Sequence, residues 1–115
     1  VSELLHDQLA SGVIDFLILR VLHDGESYGY EITLELGEHG LKDVREATVY
    51  TSLKRLEKLG CLASRQATAD NGRQRRYYAI TRKGETTLDA GIEEWHRLSA
   101  VVHSVLTTTA VRNDP

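Results

Sequence analysis

With 115 residues, 41% of them apolar and 27% charged, the chain has enough material for one core and too little for a catalytic unit plus a regulatory one. No apolar run approaches a membrane span, nothing at the N-terminus resembles a secretory signal, and the single cysteine, Cys61, excludes an internal disulfide framework and fits a reducing cytoplasm. The net charge of −3 is unevenly placed: residues 42–83 carry eleven Lys/Arg against four Asp/Glu, a local +7, and the remainder carries −10. Phosphate binding follows local field rather than total charge, so the middle of the chain is the expected contact surface.

In chain order, Leu4, Leu5 and Leu9 stand at helical spacing ahead of SGVIDFLILRVLH, Ser11 to His23, which predicts a buried first helix ending at Gly25. The lack of any methionine is read as processing, an alternative start or trimming. Ser27 is placed to cap a second helix over Tyr28 to His39, with Tyr30, Leu34, Ile32 and Leu36 turned inward and Gly40 as its stop.

The third helix is predicted over REATVYTSLKRLEKLG, Arg45 to Gly60. At 100° per residue, Val49, Leu53 and Leu56 gather on a dry face, and Ala47, Thr51, Lys54 and Lys58 line the opposite one. Thr48 and Arg55 flank that basic stripe on one edge and Tyr50 on the other. A helix presenting small, hydroxylic and cationic groups suits the major groove of DNA, although a solvated amphipathic helix looks similar in isolation.

After Gly60 the period changes. Cys61 to Ala69 reads as a strand, DNGRQ as a turn and Arg75 to Ile80 as a second strand, with Asn71-Gly72 at positions that tolerate positive φ. Cys61 reads as a small core residue. Helices followed by a two-stranded hairpin make a winged helix-turn-helix, mainly α with a small β-hairpin. Arg73, Arg75 and Arg76 at or beside the hairpin tip stand where a wing would meet phosphates or a minor groove. Tyr77 and Tyr78 must point to opposite faces, one onto the helices.

Thr81 is a plausible N-cap for a last helix over Arg82 to Leu106, in which Leu88, Ile92, Trp95, Val102 and Leu106 form a heptad-like seam. That seam outruns a compact winged helix and predicts a homodimer. The expected division is therefore 1–81 as the DNA-binding winged helix, 82–108 as a C-terminal dimerisation helix, and 109–115 as a frayed tail. Trp95 lies between Gly91 and Ser99, the small residues one turn to either side. Across a two-fold axis two such indoles either fill the interface or leave a slot for a planar ligand, closed by Leu9, Asp15 or Phe16 and by Ile92.

SYGYEI at Ser27 to Ile32, ATVYTSLKRLEKLG in the third helix and GRQRRYYAITRKG at Gly72 to Gly84 together resemble the PadR-like transcriptional repressors of bacteria, in that family's order and spacing. The chain departs from the family's frequent Gly-Thr-Leu-Tyr-Pro at Ala47 to Thr51, and from its frequent proline at Gln74, which bears on base preference rather than fold. The resemblance implies a dimer whose last helices pair with one another and with the partner's first helix. It implies phosphate contacts by Tyr50 and the wing, and base-edge contacts near Thr48, Thr51 and Ser52. Arg45, Lys54 and Arg55 complete the expected DNA-binding set. A single C-terminal helix resembles the smaller subclass, some members of which hold flat aromatic compounds between paired tryptophans; Trp95 occupies the matching place.

The expected function is a cytoplasmic homodimeric regulator, most simply a repressor, on a two-fold symmetric operator, released by a small aromatic effector, with no cofactor and no membrane partner. The rivals are a winged helix that docks a protein through the same basic face, and a metal sensor. For the latter only His96 and His103 share a helix face, with no Cys pair or His/carboxylate cluster to complete four ligands. No nucleophile elbow or phosphate loop suggests an enzyme.

Overall fold

The computed structural model describes residues 13–108. The elements run α1 (Ile14–His23), β1 (Ser27–Tyr28), α2 (Gly29–Glu38), α3 (Glu46–Lys58), β2 (Leu62–Thr68), β3 (Gln74–Ile80) and α4 (Arg82–Thr107). Three helices, a three-stranded antiparallel sheet in the order β1-β3-β2 and a long terminal helix make a winged helix. Leu4, Leu5 and Leu9, and the tail at 109–115, lie outside the described residues.

One apolar cluster joins every layer. Ile14, Ile18, Leu19 and Leu22 of α1 meet Ile32 and Leu36 of α2, Val49, Leu53 and Leu56 of α3, and Tyr78 of β3. Cys61 is buried in this core, as its size allows. Tyr78 packs on the helices, whereas Tyr77 turns to the other face, edge-on to Tyr28 with ring centroids 5.6 Å apart.

The second helix differs from expectation in two respects. Ser27 does not cap it: Tyr28 occupies the N-cap with no side-chain bond, and Ser27 is buried in β1, its hydroxyl donating to Glu31 Oε1 at 2.7 Å. Extended backbone at Ser27 and Tyr28 pairs with Tyr78 and Tyr77, so the wing has a third strand. Nor do Tyr30 and Leu34 face inward; they are 51% and 49% exposed, while Ile32 and Leu36 are buried. The two pairs lie on opposite faces of one helix. Gly29 falls on the Ile32–Leu36 face, and its missing side chain lets α3 approach there.

The wing turn uses glycine's freedom once. Gly72 takes φ +82°, and Asn71 has negative φ, its Oδ1 accepting from the Arg73 backbone N–H at 3.0 Å. Thr81 caps α4 as expected, accepting from the Gly84 N–H at 3.1 Å. The first turns of α4 are welded to the winged domain: Leu88 is only 2% exposed, and the Phe16 ring lies where a Gly91 Cβ would stand, 3.0 Å away. Leu88 is thus part of the protomer's own core and drops out of the predicted dimer seam. Beyond it Trp95, Leu98, Val101, Val102, Val105 and Leu106 are all exposed. This apolar arc covers roughly half of the helix circumference. No helix among the described residues is long and apolar enough to cross a membrane.

Candidate nucleic-acid interface

α3 presents its outer face as its periodicity requires. Burial of Val49, Leu53 and Leu56 against the core turns Ala47, Thr48, Thr51, Lys54 and Lys58 to the exterior, all exposed. Arg45 is the N-cap, exposed and extended, with its carbonyl accepting from the N–H groups of Thr48 and Val49. Thr51 donates back to the Ala47 carbonyl at 3.0 Å, which fixes its rotamer and leaves its methyl group and lone pairs outward.

Between α3 and the wing lies an open cleft of about 500 Å³, lined by Tyr28, Tyr30, Glu46, Tyr50, Arg73, Gln74 and Arg75. The wing brings its arginines here by register. Alternation along β3 puts Arg75 on the Tyr77 face, and its guanidinium stacks over the Tyr28 ring at 4.3 Å from the centroid. Arg65, across the hairpin, caps Tyr77 at 5.1 Å and is held by Glu26 in a bidentate pair. Two arginines and two tyrosines thus form a continuous stack that fixes the wing to β1. Arg76 does not join the cleft: it leaves the other face of β3 and donates to Ser64, which donates to Glu57 of α3.

Tyr50 forms the opposite wall. Partial burial first, and then the charge of the neighbouring Glu46 carboxylate and a hydrogen bond to it, push its hydroxyl pKa up. Its ring lies against the Gly29 backbone, where an added Cβ would stand 2.6 Å from Cζ. A tyrosine can swing away, so Gly29→Ala is expected to leave thermal stability within about 3 °C while displacing Tyr50. Binding to duplex DNA should weaken about fivefold, one hydrogen bond's worth. Calorimetry beside a binding titration checks it; unchanged affinity would separate Tyr50 from the contact.

Two members of the expected contact set are committed elsewhere. Ser52 is 3% exposed on the inner side of α3, and its hydroxyl accepts from Arg55 Nη2 at 3.2 Å, so it cannot present itself to a base edge. Arg55 makes a two-pronged pair with Asp15 of α1, Nε to Oδ2 at 2.7 Å and Nη2 to Oδ1 at 2.6 Å. Asp15, placed by sequence beside an effector, instead ties α1 to α3.

Burial pushes the Asp15 carboxyl up, but hydrogen bonds from Arg55 and Ser52 and the Arg55 charge outweigh it and hold the group below its usual range. A depressed carboxyl pKa gives stability that is complete above the unfolded value, near ~4, and lost as pH falls through the folded one. Asp15→Asn should therefore cost at most about 1 kcal/mol at pH 7, because the pair is partly exposed. That gap should hold down to about pH 5 and close toward pH 3 in denaturant titrations at stepped pH. A gap independent of pH would assign the loss to packing.

Of the other residues expected at an effector site, Leu9 lies outside the described residues. Phe16 and Gly91 are in contact within one protomer, so the small residue beside Trp95 is already covered by a ring. Ile92 packs on the core edge, Ser99 donates to the His96 carbonyl at 3.3 Å, and Trp95 is 46% exposed. The sequence reading missed Glu46, the first residue of α3 and an acid in an otherwise cationic and phenolic cleft. A lone acid opening a basic helix was the signal available. Among the described residues no group of three or more His, Cys, Asp or Glu could hold a metal ion.

Comparison with known proteins gives the same answer from several directions. Residues 18–90 match the transcriptional regulator PadR-like family. A PadR family transcriptional regulator from Eggerthella lenta is 30% identical, with 94% of each chain covered and a TM-score of 0.84. A PadR-like transcriptional regulator from Bacillus cereus is 32% identical over 88% of this chain and 98% of its own, with a TM-score of 0.77. The transcriptional regulator Rv3488 of Mycobacterium tuberculosis is 42% identical over 73 residues, 61% of this chain and 66% of that protein. With its winged helix, its cationic cleft and a family match over most of its length, the chain belongs to the PadR-like family of transcriptional regulators and is not an enzyme.

Proposed function

We propose that the chain is a cytoplasmic, homodimeric repressor that binds double-stranded DNA at a two-fold symmetric operator. The observation that carries this reading is the cleft between α3 and the wing, where Tyr50, Arg73 and Arg75 converge beside the exposed row of Thr48, Thr51 and Lys54. Hydroxyl and guanidinium donors around an open groove bind a phosphodiester strand, while the small and hydroxylic residues of α3 reach base edges. Residues 13–81 act as the reading head, and α4 beyond Ile92 acts as the dimerisation element. Support for the latter is the exposed arc from Trp95 to Leu106, too long and too apolar to be left in water. Paired heads then meet successive major grooves about 34 Å apart.

Release follows if a small planar aromatic compound settles against Trp95 at the helix pair and changes the tilt between heads, since both half-sites must fit together. Its half-exposed indole supports this part of the reading. Titration onto the promoter region upstream of its own gene, by fluorescence anisotropy at several salt concentrations with a scrambled duplex beside it, tests the proposal. Tight, salt-steep binding that prefers the promoter is the expected result. Weak, equal binding to both duplexes, with a protein partner captured through the same basic face, would replace it by a protein-docking role.

A further inference from the structure

Glu46 is the charge of wrong sign on this face. It is the first residue of α3, exposed, and lines the cleft with Tyr50, Arg73 and Arg75, yet it makes no ion pair among the described residues. Near a helix N-terminus a carboxylate stabilises the helix through the macrodipole, and the Tyr50 hydroxyl one turn along faces this one closely enough for a hydrogen bond to raise its pKa. That contact occupies at most one of roughly four lone-pair sites on the carboxylate. Against DNA its options narrow. An ionised carboxylate only accepts hydrogen bonds, and the phosphate and deoxyribose oxygens are acceptors too.

The donors a duplex offers in the major groove are the amino groups of cytosine N4 and adenine N6. Adenine sets its N7 acceptor beside that amino group, which matches an amide better than a carboxylate. Cytosine's own edge presents the amino group alone, its neighbouring acceptor being the O6 of the paired guanine, so a single-acceptor side chain suits it better than an amide does. Helical side chains lean toward the N-terminus, and the first turn of a recognition helix is the part that reaches base edges. Resting on the DNA-binding reading above, we propose that Glu46 is a specificity-determining residue that accepts a hydrogen bond from a cytosine N4 amino group in each half-site. Tyr50, one turn along α3, turns its hydroxyl toward that carboxylate and orients it.

Enrichment of bound duplexes from a random-sequence pool, carried out with the wild-type chain, Glu46→Gln and Glu46→Ala, tests this. The wild type should require cytosine at one position of each half-site, by about tenfold over other bases. Glu46→Gln should exchange that cytosine for adenine, because an amide matches N6 and N7 together. Glu46→Ala should lose preference at that position alone and bind the unselected pool more tightly, a repelling charge having gone. Circular dichroism of the three proteins confirms that the helices form in each. Identical motifs from all three, with only overall affinity changed, would reduce Glu46 to a field charge and overturn the inference while the DNA-binding reading stands. A wild-type chain that enriches no motif would overturn both.

Discussion

Replacing Arg73 and Arg75 together by alanine should weaken binding to every duplex, operator and scrambled alike, by about a thousandfold near 0.1 M salt. Each head loses two cations that line the cleft, and a two-headed assembly loses four. Each lost phosphate contact removes about 0.9 from the slope of log affinity against log salt, so the slope should become shallower by roughly 3 to 4. The ratio between operator and scrambled duplex should hardly move, because phosphate contacts position the protein without reading sequence. Losing the stack of Arg75 on Tyr28 costs about 1 kcal/mol of stability at most, so the fold survives. An unchanged salt slope would remove the wing from the interface.

Placing glutamate at both Val102 and Leu106 should abolish dimerisation at micromolar concentration. Both lie on the exposed arc of α4 beyond the protomer core, so the substitutions disturb nothing inside one protomer. Against a partner helix, four carboxylates in the assembly would be buried without cations, each costing several kcal/mol or dragging water into the seam. Sedimentation velocity should show a monomer with the winged domain still folded, and operator affinity should fall at least a hundredfold once two half-sites no longer act together. A variant that sediments as the wild type does would move the dimer contact off this arc.

Most of the fold was legible because its signals are local. The stripes of α1 and α3, the period change after Gly60, the Thr81 cap and the apolar run along α4 each occupy one continuous stretch. What sequence reading lost depends on partners far along the chain. A two-residue strand such as β1 has no period of its own, and it exists because Tyr77 and Tyr78, some fifty positions later, supply its hydrogen bonds. α2 carries two apolar stripes of equal length, and packing against α1 and α3, with bare Gly29 under Tyr50 on the buried side, chooses between them.

The candidate interface divides the same way. Thr48, Thr51, Lys54, Arg73 and Arg75 stand at the surface or in the cleft, because facing outward follows from periodicity and register. Ser52 and Arg55 could not be placed without α1: a small hydroxyl at the edge of the apolar stripe reads as surface until Asp15 draws Arg55 over it. The same is true of Gly91, whose bareness looked like an open wall until Phe16 filled it.

Asp15 and Phe16 are neighbours in the chain, yet one grips Arg55 on α3 and the other rests on Gly91 of α4. Consecutive helical side chains diverge by about 100°, so α1 sets one contact on each neighbour. α3 and α4 thus share α1 as a neighbour, besides meeting directly where Lys83 Nζ of α4 donates to the Leu59 carbonyl at the end of α3, and the two contacts of α1 differ in kind. The Phe16 contact is apolar, with a His23–Glu85 hydrogen bond farther along the same α1–α4 junction, whereas the Asp15 contact is ionic and weakens as salt rises. Raising ionic strength should consequently loosen the tie between α1 and α3 at Asp15, while the apolar packing between the helices stays as tight as before.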